Sequence, residues 1–310
     1  LGDVYKRQET APINTILSTD PRDLLKGHTG TSIREYITKA KKLSEKYATI
    51  IELEADHISL TRSPERAIKR ISGAEFEYGL SVKEIEASFN YIREELEEAK
   101  GSGGVEFVTL DACELINLQV DRMNDKEILA VYEENFDLNL RRNLEETYVN
   151  RPLVFLEPGI EIWVKFTKLD VAKLALKHFK AITYLLKMYR LVKEYIPEFG
   201  VEIALDEVPQ ITTPKELIFY LNELNRLGVK PDFIAPNIGF KKKEDYTGSL
   251  IELEERLRIL SIIARSYGCI LSIHSGSGPH PYSDKGPGVW ETLRKATKGM
   301  IKYKISGTII

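Results

Sequence analysis

The sequence predicts an α/β fold of the TIM type, an incomplete (β/α)8 barrel. Short apolar runs of strand length alternate with longer amphipathic segments along the 310 residues, which indicates a parallel sheet. Polar residues follow several of these runs directly, and barrel enzymes hold their catalytic groups at the carboxyl ends of their strands. No G-x-G-x-x-G turn follows a predicted strand, which argues against an open dinucleotide-binding sheet.

The predicted strands are apolar on nearly every residue, as is typical of parallel strands that are buried on both faces. They lie at residues 50–53, 105–110, 201–205, 233–235, 270–273 and 301–305. Two weaker runs, 154–155 and 160–166, flank Pro158-Gly159 and predict a hairpin.

Helix signals lie between these strands. Thr213 is a predicted N-cap, Pro214 takes the first helical position, and Glu216 completes a capping box. A long amphipathic helix is predicted over residues 171–196, with His178 on its surface.

We expect both ends of the chain to be incomplete. Residues 1–8 resemble a translated sequencing adapter, so the predicted barrel domain comprises residues 9–310. The chain ends at Ile310 directly after a predicted strand, and we expect the last strand of the barrel to be missing.

The composition excludes several classes of protein. A net charge of −3 gives no indication of nucleic acid or an anionic membrane as a partner. No run approaches the roughly 18 apolar residues that span a bilayer. Cys113 and Cys269 are predicted to be buried, reduced thiols. We therefore expect a cytoplasmic protein, and assembly into a homo-oligomer stays open.

Asp56 and His57 directly follow the first predicted strand. A carboxylate and an imidazole at such a place can hold a divalent metal and act as a base. The alternative is a loop pair that caps the next helix. Because adjacent strand residues point to opposite faces, both side chains reach one site only if the chain has begun to turn.

Glu202, Asp206 and Glu207 share one predicted strand and its exit. Alternation places Glu202 and Asp206 on the same face, and a carboxylate within an apolar strand is costly unless it is paired or bound to a metal. The alternative is that Glu202 begins the strand and faces water, while the other two residues begin the next turn.

His274 follows another predicted strand and precedes Ser275-Gly276-Ser277. Histidine can ligate a metal, and small residues let backbone N–H groups approach an anion. The alternative is a core histidine before a flexible loop. In the last strand, Lys304 can bind a substrate carboxylate, or it can be an outward lysine on an edge strand. Residues 241–243, all lysine, are predicted to be a solvated loop.

Several of these segments, taken together, resemble the tagaturonate epimerase family. These are metal-dependent barrel enzymes that interconvert tagaturonate and fructuronate in the breakdown of hexuronates. The matching segments are residues 54–57, 201–207 with 212–214, 245–248, 270–277 and 303–307. Their order and spacing agree with the family over about residues 50–310.

The resemblance implies a role for each matching residue. Asp56 looks like the family's proton acceptor and Glu202 like its proton donor. His57 and His274 look like ligands of a divalent cation, which would be Zn²⁺, Mn²⁺, Co²⁺ or Ni²⁺. Glu207 is assigned as the third ligand, although Asp206 and Asn237 stay candidates. The residues assigned to substrate binding are Asp206, Asn237, Ser275, Ser277 and Lys304.

The sequence also departs from the family. The family usually carries an arginine around Asn237 and acidic residues in the loop that follows, whereas this chain has lysines at 241–243. The family has Asp-Lys after the position of Ser277, where this chain has residues 278–281, Gly-Pro-His-Pro. These differences indicate a change in substrate specificity.

The reaction that the resemblance implies inverts a carbon β to a ketone, which simple enolisation cannot do. Retro-aldol cleavage followed by re-addition is the cheapest alternative in chemical terms. Two other functions stay open: a metal-dependent sugar isomerase or aldolase on the same barrel, and a carbohydrate-binding barrel without catalysis.

Overall fold

Parallel strands alternate with helices along the chain, which is an α/β architecture. The computed structural model describes residues 5–6, 10–18, 31–62, 79–242, 244–280 and 283–304. The chain divides into two units. The first comprises Leu1–Leu115 and Thr183–Ala204, and the second comprises Ile116–Ile182 and Leu205–Ile310.

The described strands are β1 (Tyr5–Lys6), β2 (Thr10–Ala11), β3 (Thr31–Ser32), β4 (Glu54–Ser59), β5 (Phe107–Asp111), β6 (Leu153–Glu157), β7 (Ile160–Val164), β8 (Gly200–Leu205), β9 (Phe233–Pro236), β10 (Ile270–Ile273) and β11 (Ile301–Tyr303). The described α-helices are α1 (Ile13–Ser18), α2 (Ile33–Tyr47), α3 (Val82–Gly101), α4 (Asp125–Asn135), α5 (Leu138–Tyr148), α6 (Lys168–Tyr195), α7 (Pro214–Arg226), α8 (Leu250–Ser266) and α9 (Val289–Ala296).

In the first unit, β1, β4, β5 and β8 pair in that order, and every pair is parallel. Tyr5 and Lys6, which lie inside the segment excluded from the predicted domain, pair with Ala55 and Asp56. The helices α2 and α3 pack against each other, and α3 also contacts β4. The apolar residues of β4, β5 and β8 are buried, so these strands form part of the core.

In the second unit, β9, β10 and β11 are parallel neighbours. The helix α8 packs against α7, α9 and β10. The strands β6 and β7 form the predicted antiparallel hairpin, with Phe155 opposite Ile162, and β6 contacts α8. In the first unit β2 and β3 form a separate parallel pair. The sheets described in each unit are open rather than closed, so the mainly parallel α/β prediction is confirmed but a closed barrel is not.

The first predicted strand is misplaced. Residues 50–53 are not a strand, and Ile50 is 84% exposed. The strand is β4, whose polar residues Glu54, Asp56 and His57 are all buried. The search for apolar runs misplaces this strand because several of its buried residues are polar and are bound by other side chains inside the protein.

The predicted N-terminus of α7 is confirmed. Thr213 is the N-cap, its hydroxyl accepts the Glu216 N–H, and the Glu216 carboxylate accepts the Thr213 N–H. Cys113 and Cys269 are buried and form no disulfide, as expected. None of the described helices combines the length and the apolar character that crossing a membrane requires.

The prediction that His178 lies on a helix surface is wrong, because this residue is buried in α6. Its Nε2 lies 3.3 Å from Glu216 Oε1, and Lys177 Nζ donates to the same oxygen at 2.9 Å. Lys177 also pairs with Asp121 at 3.0 Å. Burial alone would raise the pKa of Glu216, but the hydrogen bond and charge of His178 and the charge of Lys177 outweigh it and lower that pKa strongly.

Candidate active site

A bulge in β4 brings Asp56 and His57 together. His57 has a φ of 54°, in the left-handed region, and the register with β5 shifts between Ala55 and Ile58. The bulge suspends the normal alternation of faces, and Asp56 Oδ1 lies 3.8 Å from His57 Nε2. The turn that the sequence analysis required is therefore present, and the helix-capping alternative is wrong because both residues are buried within the strand.

Asp111 completes this group, and sequence reasoning missed it. It ends β5, it is buried, and its Oδ2 lies 3.4 Å from His57 Nδ1. Its other oxygen, Oδ1, accepts the Cys113 N–H at 2.8 Å. A carboxylate on one ring nitrogen orients the other nitrogen toward a reactant or a metal. The sequence feature that could have identified Asp111 is an acidic residue at the end of an apolar strand.

Glu202 lies on the same face of the first unit's sheet as Asp111. In the β5–β8 register Thr109 is opposite Glu202, and Asp111 is opposite Ala204. Along the strand direction, Glu202 therefore lies two residues, roughly 6–7 Å, before the position of Asp111. Its side chain is fully buried, with 0% exposed, so the alternative of a strand start facing water is wrong.

The second unit holds a matching carboxylate–imidazole pair. His274 directly follows β10, and its Nδ1 lies 3.1 Å from Asp206 Oδ1. The next residue, Ser275, has a φ of 58°, so the chain turns sharply as it leaves the strand. Each of the two predicted ligand histidines thus has Nδ1 beside a carboxylate.

Glu207 and Asn237 have different surroundings. The Glu207 carboxylate is buried, and its Oε1 lies 3.2 Å from Lys242 Nζ. Lys242 is therefore not simply part of a solvated loop. The Asn237 side chain donates to the Val208 carbonyl at 2.5 Å and accepts the Gly239 N–H at 2.8 Å. Asn237 thus ties two loops together, which does not favour it as a metal ligand.

The segment after His274 packs against the end of β11. Gly276 donates its N–H to the Lys304 carbonyl at 3.1 Å, and Tyr303 donates its hydroxyl to the Gly276 carbonyl at 3.1 Å. A Cβ on Gly276 would lie only 2.7 Å from the Lys304 carbonyl oxygen, so the close approach requires glycine. Ser277 and Lys304 are buried, and the outward-lysine alternative is therefore wrong.

Comparison with known proteins identifies the family. A model of the family described as UxaE, tagaturonate epimerase, matches residues 65–309. The chain belongs to the tagaturonate epimerase family. The resemblance drawn from the sequence motifs is thereby confirmed.

Among curated proteins, the tagaturonate/fructuronate epimerase of Thermotoga maritima is 30% identical over 208 residues, which is 66% of this chain and 40% of that protein. Two crystal structures of the fructuronate-tagaturonate epimerase UxaE of Cohnella laeviribosi are similar. The complex with two glycerols has a TM-score of 0.70 at 21% identity, and the native structure has 0.68 at 22%. The matches cover 99% and 98% of this chain, which shows a shared fold. They cover 56% of each Cohnella laeviribosi chain. The chain thus spans about half the length of these relatives.

An Asp-Lys pair lies further along the chain than the family's motif places it. The Gly278 N–H donates to the Ser283 carbonyl at 2.8 Å. Asp284 and Lys285 follow Ser283 in the sequence.

Lys285 is a second residue that sequence reasoning missed. Its side chain is fully buried, with 0% exposed. The ammonium donates to the carbonyls of Lys241 and Glu244, the latter at 2.7 Å, and lies 5.6 Å from the centre of the Phe240 ring. Burial lowers the pKa of Lys285 to about 8, although the charges of nearby acidic residues oppose the shift.

Proposed function

We propose that this chain contributes the catalytic residues of a divalent-metal-dependent epimerase that interconverts tagaturonate and fructuronate. The observation that carries this proposal is the arrangement in the first unit. There, a bulged strand holds Asp56 and His57 beside Asp111, on the sheet that buries Glu202. Membership of the tagaturonate epimerase family supports the substrate, a keto sugar acid. We also propose that the parallel strands belong to a (β/α)8-type barrel.

The histidines suit a metal ligand set. Nδ1 of His57 and Nδ1 of His274 each lie beside a carboxylate, which is how proteins orient the Nε2 of a ligating imidazole. The family resemblance implies one cation bound by both residues. Asn237 already bridges two loops, so we propose a carboxylate as the third ligand, with Glu207 as the assigned residue and Asp206 as the alternative. A divalent cation held there, Zn²⁺, Mn²⁺, Co²⁺ or Ni²⁺, would supply Lewis-acid stabilisation of the negative charge that develops during the reaction.

Removal of either histidine should abolish stoichiometric metal binding. We expect His57→Ala and His274→Ala to lose bound metal and catalytic activity, because a three-ligand site that loses an imidazole keeps too few donors. Metal content is measured by inductively coupled plasma mass spectrometry after dialysis, and circular dichroism confirms folding. His280→Ala is the matched control, since His280 is exposed. A folded His57→Ala protein with undiminished metal would contradict the assignment.

The proposed chemistry begins at the hydroxyl group on the carbon that inverts. Asp56 accepts the hydroxyl proton, and the bond from this carbon to its neighbour beside the ketone breaks, leaving an aldehyde and an enolate. The aldehyde rotates to present its other face, the carbon–carbon bond forms again, and Glu202 donates a proton to the new alkoxide. Proton exchange with water then resets Asp56 and Glu202.

An isotope experiment tests this route. The substrate is tagaturonate with deuterium on the carbon that inverts, and the product is analysed by mass spectrometry and proton NMR. Retro-aldol cleavage never breaks that carbon–deuterium bond, so we expect the label to stay in fructuronate. Loss of the label to solvent would instead require direct deprotonation. Turnover of neutral ketohexoses without turnover of hexuronates would favour a sugar isomerase or aldolase.

A further inference from the structure

We propose that Lys242 binds the acid group of the sugar acid and so selects hexuronates over neutral ketohexoses. This inference rests on the proposed function, which makes a carboxylate-bearing sugar the substrate. A sugar acid differs from its neutral counterpart by one carboxylate, so discrimination requires a cation at a defined place.

The position of Lys242 satisfies that requirement within the second unit. Its Nζ lies 3.2 Å from Oε1 of Glu207, which adjoins Asp206, the partner of His274. The Lys242 side chain is 43% exposed, whereas that of Glu207 is only 3% exposed. The ammonium therefore stands at the boundary between a buried acidic group and solvent, where an arriving anion can reach it.

Lys285 binds the backbone near Lys242. Its buried ammonium donates to the carbonyl of Lys241, which directly precedes Lys242, and to the carbonyl of Glu244, two positions after Lys242. The Lys285 carbonyl accepts the Tyr246 N–H at 2.9 Å, and the Phe240 ring lies beside the same ammonium. A buried ammonium is costly unless its donors find acceptors, and here two backbone carbonyls accept hydrogen bonds from it.

These hydrogen bonds from Lys285 explain how a flexible lysine can recognise a ligand. Backbone that is already fixed before the ligand arrives loses less conformational entropy when the ligand binds. The neighbouring Lys241 differs, because its side chain is 77% exposed and pairs with Glu244 at 3.8 Å. The structure thus brings Lys242, rather than Lys241, to the acidic group that follows β8.

Calorimetric titration with two sugars tests the proposal. D-fructuronate and D-fructose are each titrated into the wild-type chain and into Lys242→Met, Lys242→Arg and Lys230→Met, with metal content measured for every protein. We expect Lys242→Met to weaken D-fructuronate binding about 10- to 100-fold and to leave D-fructose binding within about twofold. Lys242→Arg should restore most of the affinity for D-fructuronate. Lys230→Met is the control for net charge, because Lys230 is exposed before β9.

Three results would overturn the inference. The first is an equal loss of affinity for both sugars in Lys242→Met, which would show that Lys242 acts only through Glu207. The second is unchanged binding of D-fructuronate to Lys242→Met. The third is no binding of D-fructuronate to the wild-type chain. The proposed function fails separately. If the wild-type chain binds D-fructuronate selectively through Lys242 but epimerises no hexuronate, the recognition role stands and the epimerase proposal does not.

Discussion

Replacing Glu202, the proposed proton donor, with glutamine should lower kcat for the proposed tagaturonate epimerisation by about 10²–10⁴-fold, the usual effect of losing a general acid. Glutamine keeps the shape of the side chain but has no acidic proton to donate. Because Glu202 is fully buried, solvent water does not readily take over the proton transfer. The measurement is the initial rate of fructuronate formation at saturating tagaturonate, with folding checked by circular dichroism.

The control for this substitution is Glu223→Gln. Glu223 is also a fully buried carboxylate, but it accepts hydrogen bonds from the Tyr148 hydroxyl at 2.8 Å and from Arg226. Its replacement should lower stability while kcat of the folded protein stays near the wild-type value. If Glu202→Gln kept more than about a tenth of wild-type kcat, the assignment of Glu202 as proton donor would be wrong.

Glu216→Ala should lower the free energy of unfolding by about 3 kcal/mol, at the low end of the cost of breaking a buried ion pair. The carboxylate binds Lys177, His178 and the N-terminus of α7 at the same time. Without this carboxylate, Asp121 is the remaining acidic partner of the buried Lys177 ammonium in the cluster. The Thr213 N–H also loses the carboxylate that accepts its hydrogen bond. Urea denaturation followed by circular dichroism measures the difference.

The pH dependence of this difference has a definite sign. The folded protein lowers the pKa of Glu216, so this carboxylate stabilises the fold fully above its unfolded pKa of about 4.3. That stability is lost as the pH falls through the lower folded value, and the gap between wild type and Glu216→Ala should narrow in acid. The exposed pair of Lys295 and Glu254 is the control, and Glu254→Ala should cost less than about 1 kcal/mol. An equal cost for both variants would contradict the role of the buried cluster.

The candidate site was predictable where polar residues follow apolar strands. The runs ending at Leu205 and Ile273 are strands β8 and β10, and the residues that follow them, Asp206 and His274, are paired in the structure. The hairpin and the α7 cap were also predictable, because turn residues and capping boxes act over only a few residues.

Other parts of the site depend on contacts between residues far apart in the sequence. Asp111 binds His57 across 54 positions, and Lys285 reaches the Glu244 carbonyl across 41 positions. A single sequence shows which side chains can form such bonds but not which partner each one meets. The burial of His178 was missed for the same reason, since its partner Glu216 lies on another helix.

The sequence by itself determined the alternation of strands and helices, the local caps, and the residue types that suit metal and acid–base chemistry. Only the tertiary structure decided that β4 is a polar strand with a bulge at His57, and that Lys242 rather than its neighbour pairs with Glu207. The physical reason is that periodicity reports which residues prefer to leave water. The place of a buried charge is instead set by partners that folding brings to it.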